Sequence, residues 1–265
     1  AYEIRNCDWS SDVCSSDLAG HRLAFNRAFA EAGLPWHWDL ELYLRLLSIS
    51  GGRERMRVYL RDVEGEEPAP QRLEALQAAK QQHYSALVAG GELVLRPGVE
   101  RLMQAAAAAG LPQVIVTTSG RTAVQALLER LLPQHQQWLS FWVCGDDVPR
   151  KKPDPAAYSQ AVAQLGQPAA AVLAIEDSSN GVAAATAAGV PVLVTRSASS
   201  AAEAASGFAA AAAVLDGLGD PGAPCRVQRG PACPQGLVTL SYLQTLDRKS
   251  TRLNSSHSSV SRMPS

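Results

Sequence analysis

Long uninterrupted apolar runs are missing from this sequence. The most alanine-rich patch, Ala198 to Val214, is broken by Ser, Glu and Gly, and no run is both long enough and leucine-rich enough to span a bilayer. The first residues lack the basic-then-apolar layout of a secretory leader, so none is expected. A dominant sign of charge is missing too. The chain carries 24 Lys and Arg against 25 Asp and Glu, a formal net charge of -1. That balance gives no electrostatic pull toward nucleic acid or an anionic membrane, and basic residues are not interleaved with aromatic ones as a nucleic-acid surface requires. Cysteine is sparse and scattered: Cys7, Cys14, Cys144, Cys225 and Cys233 are odd in number and match no zinc spacing. A reducing, cytoplasmic setting is the expectation.

What is present reads as an ordinary soluble globular chain of one or two domains, with 265 residues of which 46% are apolar. Abundant alanine favours helix. The stretch Val172 to Gly189 is the most informative. Val172 to Ile175 form an apolar run suited to a buried parallel strand, Glu176 and Asp177 stand at its end, and an alanine-rich helical pattern follows and stops at Gly189. A second apolar strand, Pro191 to Val194, comes next. Ligands of doubly wound sheets bind outside the carboxyl ends of the strands, and two acids there suit a hard cation such as Mg2+. The same residues also fit a solvated loop with a helix cap, because Asp177 and Ser178 are good cap residues.

Along the rest of the chain, residues 1–18 show no period and contain serine-aspartate runs that favour disorder. Helices are expected at His21–Gly33, Asp39–Ser48, Arg53–Asp62 and Gln71–Ala89, a small bundle with no strand between its members. From there strands and helices alternate: a helix at Gly98–Ala109, a strand at Gln113–Val116, a helix at Arg121–Leu132, a strand at Phe141–Cys144 and a helix at Ala156–Leu165. The alternation predicts an α/β fold, a doubly wound parallel sheet covered on both faces, with an inserted four-helix cap. The expected domains are a disordered N-terminus (1–18), a helical cap (19–90), an α/β core (91–222) and an irregular, disordered tail (223–265). Within that tail Leu237 to Leu246 could form a short strand or helix.

Three features fall after successive strands. Thr117, Thr118 and Ser119 offer hydroxyls and backbone N–H groups at a helix start, a cradle for a phosphate. Lys152 sits in the proline-bounded loop VPRKKPDP. Glu176 and Asp177 offer metal ligands. Each alone has a bland reading, as a cap, a solvated lysine and a loop acid. Together, in this order, they form the set expected for phosphoryl transfer, in which fixed positive charge and hydroxyls offset the charge on phosphate oxygens.

That order resembles the haloacid dehalogenase-like superfamily of phosphohydrolases, from about Ala19 to about Gly222. Thr117 corresponds to its second motif, Lys152 to its third, and Glu176-Asp177 to its fourth. The segments GHRLAFNRAFAEAGLPWHWD, GGRER, AKQQHY, GDDVPRKKPDP and LGDP are similar to the CbbY-type sugar-phosphate phosphatases, relatives of β-phosphoglucomutase. The resemblance implies a cap inserted after the first strand of a Rossmann-like core, Mg2+ as cofactor, and a phosphorylated sugar, xylulose-1,5-bisphosphate first among them, in the setting of carbon fixation. It implies that His21, Arg53 and Lys80 reach from the cap to the substrate, although His21 also fits a helix surface. No nucleic-acid or membrane partner is implied, and a monomer is expected.

The family's first motif, a strand ending in Asp-x-Asp-Gly-Thr, is missing. In the family its first Asp attacks phosphorus and ligates the metal, and its second protonates the leaving oxygen. Counting back from Gly20-His21-Arg22 places Asp8 at the nucleophile and Ser10 at the acid position. No apolar strand precedes Asp8 and no Gly-Thr follows it. Residues 1–18 and 247–265 resemble translated sequencing-adapter sequence. The expectation is that they stand in place of native termini, and that this chain is inactive or nearly so while its parent is a phosphatase. A phosphomutase and a non-catalytic sugar-phosphate binder are the other two classes.

Overall fold

The computed structural model describes residues 17–246, residues 92 and 202 excepted. Asp8 and Ser10, residues 1–16 of the N-terminus expected to be disordered, and the tail from 247 lie outside the described residues. The described residues begin with four helices, α1 (Asp17–Glu31), α2 (Leu40–Leu46), α3 (Gly52–Glu64) and α4 (Pro70–Ala89). The chain continues through α5 (Val99–Ala108), β1 (Gln113–Val116), α6 (Arg121–Leu131), α7 (His135–Trp138), β2 (Leu139–Val143), α8 (Ala156–Leu165), β3 (Ala174–Glu176), α9 (Ser179–Ala187), β4 (Val192–Thr195), β5 (Ala213–Leu215) and β6 (Val227–Arg229). No helix among the described residues is long and apolar enough to cross a membrane.

β1 and β2 pair in parallel. β3, β4 and β5 form a second parallel set, which β6 extends antiparallel. Every residue of β1, β3, β4 and β5 is buried. Helices cover both faces of such sheets, which is why these strands read as continuous apolar runs rather than alternating ones. Within the described residues β1 and β3 do not pair with each other.

Two apolar clusters form among the described residues. The larger holds the strands with α5, α6, α8 and α9. The smaller, in the cap, gathers Phe25, Phe29, Trp38, Tyr43, Met56, Leu60, Leu73 and Leu76. It is aromatic-rich, with Phe29 and Trp38 meeting edge to face at 5.0 Å between centroids. The α1–α2 connection is pinned onto it because the Asn26 side chain bonds both the N–H and the carbonyl of Trp38, at 2.8 and 2.9 Å. Asp39 then caps α2, its Oδ1 accepting from Leu42 N at 2.8 Å. The boundary between the clusters does not fall at a chain position. α1 gives Ala24 to the larger cluster and Phe25 and Phe29 to the smaller; α4 gives Tyr84, Leu87 and Val88 to one and Leu73 and Leu76 to the other.

The segment from 223 is not the irregular tail expected of it. β6 adds to the sheet, residues 240–246 are helical, and Val238, Tyr242, Leu243 and Leu246 are buried in the larger cluster. Arg101 is the reason this proline- and glycine-rich stretch is ordered. Its guanidinium donates to the carbonyls of Leu218, Gly219 and Val238 and to Asp220 Oδ1, at 3.2, 2.6, 3.0 and 3.1 Å. Asp220 also accepts from Gly98 N at 2.8 Å. Gly98 has φ 88°, and a Cβ there would stand 2.4 Å from Gly219 O. Only glycine permits that approach.

Candidate active site

The loops at the carboxyl ends of β1, β2, β3 and β4 face the cap across a cavity of about 580 Å3. From β1, Thr118 and Ser119 line it, while Thr117 lies beneath, 1% exposed, its Oγ1 accepting from Ser119 N at 3.1 Å. That bond turns the chain so that α6 begins at the cavity wall. The loop after β2 approaches so closely that a Cβ on Gly145 would stand 2.3 Å from Thr118 O. Beside it, burial raises the Asp147 carboxyl, but the Arg121 hydrogen bond at 2.6 Å and the Cys144 N–H outweigh burial and hold it below the usual carboxylate range.

Lys152 lies in the loop before α8, next to the cis peptide bond to Pro153. Its Nζ donates to Val116 O at 2.8 Å and to Glu176 Oε1 at 2.7 Å, with lysine and glutamate side chains only 2% and 0% exposed. Tyr158, from α8, donates its hydroxyl to the same Glu176 oxygen, and its ring lies under the ammonium at 5.1 Å. The ammonium is thus held between two strand ends and the α8 tyrosine, by groups that leave it little freedom.

The two acids after β3 part company. Glu176 turns under α9, where its Oε2 stands 1.8 Å from the position of a Cβ on Gly181. Its described contacts are with Lys152 and Tyr158, so it orients the lysine. Asp177 lines the cavity, and Ser197 and Ser199 donate to its Oδ2 at 3.1 and 3.4 Å. The helix cap is Ser178, whose Oγ accepts from Gly181 N at 3.1 Å. Asp177 is therefore freed from the capping role the sequence also allowed it. Its hard oxygen atoms suit Mg2+. Among the described residues no group of three His, Cys, Asp or Glu side chains gathers to complete a metal site.

From the cap, Lys80 and His21 meet at 2.9 Å between Nζ and Nδ1. Lys80 rests on the rings of Phe25 and Tyr84, at 5.2 and 4.7 Å, and His21 stacks on Tyr84. Burial, with the Lys80 and Arg55 charges added to it, holds the imidazole well below its ordinary value. His21 is neutral there, with Nδ1 accepting and the proton on Nε2.

Arg53 does not reach the cavity. It is half-exposed and faces Glu74 at 3.5 Å. The arginine at the cavity is Arg55, 8% exposed, which donates to the carbonyls of Leu46 and Ile49 and to the Tyr43 hydroxyl, at 2.9, 3.1 and 3.3 Å. Two residues along a helix are about 200° apart around its axis, so the pair in GGRER cannot share a face. Two further contacts tie cap to core: Lys151 Nζ to Glu54 Oε2 at 2.8 Å, and Asn180 Nδ2 to Ser48 O and Ser50 Oγ at 3.2 and 3.1 Å.

A parallel α/β core that places cavity-lining hydroxyls, a buried lysine and a cavity-facing aspartate after successive strands has the layout of a phosphohydrolase class, and the sequence agrees. The profile of the family described as haloacid dehalogenase-like hydrolase matches residues 6–189, a span that takes in Asp8, and the chain belongs to that family. Its relatives place it in the CbbY-type branch. The plasmid protein CbbY of Cupriavidus necator is 43% identical over 209 residues, 77% of this chain and 81% of its own length. The crystal structure of CbbY from Rhodobacter sphaeroides in complex with phosphate is 33% identical and superposes with a TM-score of 0.75, covering 82% of this chain and 95% of that one. A mutant of that protein in complex with xylulose-(1,5)bisphosphate matches equally well.

Proposed function

We propose that this hydrolase cleaves phosphate from a small sugar phosphate, with xylulose-1,5-bisphosphate the first candidate and Mg2+ the cofactor. The observation that carries the reading is the distribution of charge in the cavity. Lys152 with the Thr118–Ser119 turn forms one wall, and Lys80 and Arg55 stand in the cap opposite. A ligand with an anionic group at each end fits that arrangement better than a neutral sugar does. The bound structure of the related mutant protein supports the choice of a bisphosphate.

In this reading the Thr118–Ser119 turn and Lys152 bind the phosphoryl oxygens, and the lysine's fixed charge offsets the charge on them as the ester bond breaks. Glu176 and Tyr158 keep the ammonium in place. Asp177 would hold Mg2+, which when bound offsets further charge on the phosphoryl group. Lys80 and the neutral His21 bind the far end of the sugar and help exclude water once the cap is down. Asp8 stands at the nucleophile position by sequence count alone, and Ser10 has no carboxyl group with which to protonate a leaving oxygen. The chain as it stands is therefore proposed to turn over little or not at all.

The test is phosphate release from xylulose-1,5-bisphosphate with Mg2+ by two proteins. One is this chain; the other carries an apolar strand ending in Asp-x-Asp-Gly-Thr in place of residues 1–18. Turnover by the second alone is expected. Turnover by the first that Asp8→Asn abolishes would overturn the statement on activity. A folded second protein that releases no phosphate would overturn the substrate.

A further inference from the structure

Cys225 and Cys233 flank β6, in the part of the chain beyond residue 189 where the family match ends. Neither belongs to the cavity. Both are free and half-buried, and both pack against the larger cluster. The backbone brings their two segments together rather than leaving them to a loose loop. Cys225 N donates to Gly236 O at 2.8 Å, and Gly236 N donates to Cys233 O at 3.1 Å, so one glycine bridges the two cysteine segments. The fit around Cys225 is tight. A Cβ on Gly236 would stand 2.7 Å from Cys225 O, and one on Gly219 would stand 2.9 Å from Cys225 N. Tyr242 closes the other side, its hydroxyl donating to Pro231 O at 3.1 Å. Burial, with the neighbouring Cys233, pushes the Cys225 thiol up to about 12, and burial raises Cys233 as well. Both thiols are therefore protonated near neutral pH, so exchange at either runs through a minor thiolate and speeds up as pH rises.

We propose that Cys225 and Cys233 are a modification site, a dithiol that closes to an intramolecular disulfide by exchange with a small disulfide such as oxidised glutathione. The thiolate of one cysteine attacks the small disulfide and releases one small thiol. The other cysteine then attacks the mixed disulfide and releases the second. Two protein thiols become one S–S bond, and the incoming disulfide is reduced to two thiols. The bond would close a ring around β6. β6 is three residues long and forms the outer edge of its sheet. A cross-link there ties the edge strand to the turn at Pro234–Gly236 and restricts the unfolded chain. It leaves the cavity lining untouched.

Tryptic peptides read the site directly, because Arg226 and Arg229 lie between the two cysteines. The full chain is incubated with oxidised glutathione, alkylated, digested without reductant and weighed. The expected product is a single species joining peptides 197–226 and 230–248, two hydrogens lighter than their sum and separated by reductant. The oxidised protein is expected to melt about 5 °C above the reduced one, a difference that Cys225→Ser and Cys233→Ser each abolish. Recovery of the two peptides separately alkylated or glutathionylated after prolonged oxidation would overturn the proposal. So would a cross-link from either one to Cys7, Cys14 or Cys144 in place of the pair.

Discussion

Replacing Arg55 by Ala tests the assignment of roles within GGRER. The guanidinium of Arg55 makes three hydrogen bonds, two of them to carbonyls at and just past the end of α2, and lies over the Tyr43 ring at 5.3 Å. Bonds from a charged donor contribute about 1.5–3 kcal/mol each when one partner is deleted. The Leu46 and Ile49 carbonyls are only part-buried, so water recovers some of this. A net loss of about 3–4 kcal/mol follows, or roughly 6–16 °C in melting temperature for a chain of this size. Arg53→Ala removes only a half-exposed ion pair at 3.5 Å, which costs about 0–1 kcal/mol. Thermal unfolding followed by near-UV circular dichroism suits the comparison, because Trp36 and Trp38 report on the cap. Arg55→Lys should recover little, since an ammonium cannot span three acceptors as the planar fork does. Equal losses for Arg53→Ala and Arg55→Ala, or a larger loss for Arg53→Ala, would refute the assignment.

Glu176→Gln removes the carboxylate paired with buried Lys152 and should cost about 3 kcal/mol, while the double change Glu176→Leu with Lys152→Met should restore most of the stability and no binding of phosphate; calorimetry with inorganic phosphate reads both. Gly181→Ala forces a Cβ into the Glu176 carboxyl and should destabilise by about 2–3 kcal/mol, with little added loss when combined with Glu176→Gln, a non-additivity that denaturant melts detect. His21 carries a lowered value in the fold, so the unfolded chain takes up a proton first as pH falls through the ordinary histidine range. Its contribution to stability is full above about pH 6.5 and is lost below it. Melting temperatures between pH 7 and pH 5 should fall more steeply for the parent than for His21→Gln, and parallel profiles would count against a neutral His21.

How much of this was legible in the sequence depends on what each residue had to do. Strand ends announce themselves, because an apolar run followed by polar residues and a helical pattern has few other folds. Thr118, Ser119, Lys152 and Asp177 were found that way, and all four reach one cavity. Thr117 was placed on the right turn but sits beneath the surface, where it supports Ser119. Glu176 and Asp177 are neighbours in sequence and opposite in direction, as a strand end makes them, and pairing them as equal ligands overlooked that. Arg55 and Tyr158 were missed because an arginine and a tyrosine on helices carry no signal of direction until the packing fixes it. β5 was hidden in an alanine-rich patch that reads as helix. β6 and the closing helix were hidden by prolines and glycines whose order comes from Arg101, more than a hundred residues away. No local pattern contains such a contact. The four-helix cap was legible from periodicity, but a boundary at residue 90 was not the physical one, since α1 and α4 belong to both clusters.

That sharing makes the cap a lever. α1 and α4 are each anchored in the core at one end and carry the aromatic cluster at the other, so a swing of the cap would require tilting rigid rods about the place where they enter the core. Lys80 lies at that fulcrum, between Leu76 on the cap side and Tyr84 on the core side. Pro70 is ten residues out along α4, about 15 Å from it, so a tilt of about 10° sweeps the far end through about 2.6 Å and leaves Lys80 nearly still. Residues beyond the fulcrum, Arg55 and the Ser48–Ser50 turn, would travel with such a swing once the Asn180 and Lys151 ties to the core were broken. A ligand held by Lys80 and His21 is thus gripped at the pivot, and one that also engages Arg55 pulls on the long arm.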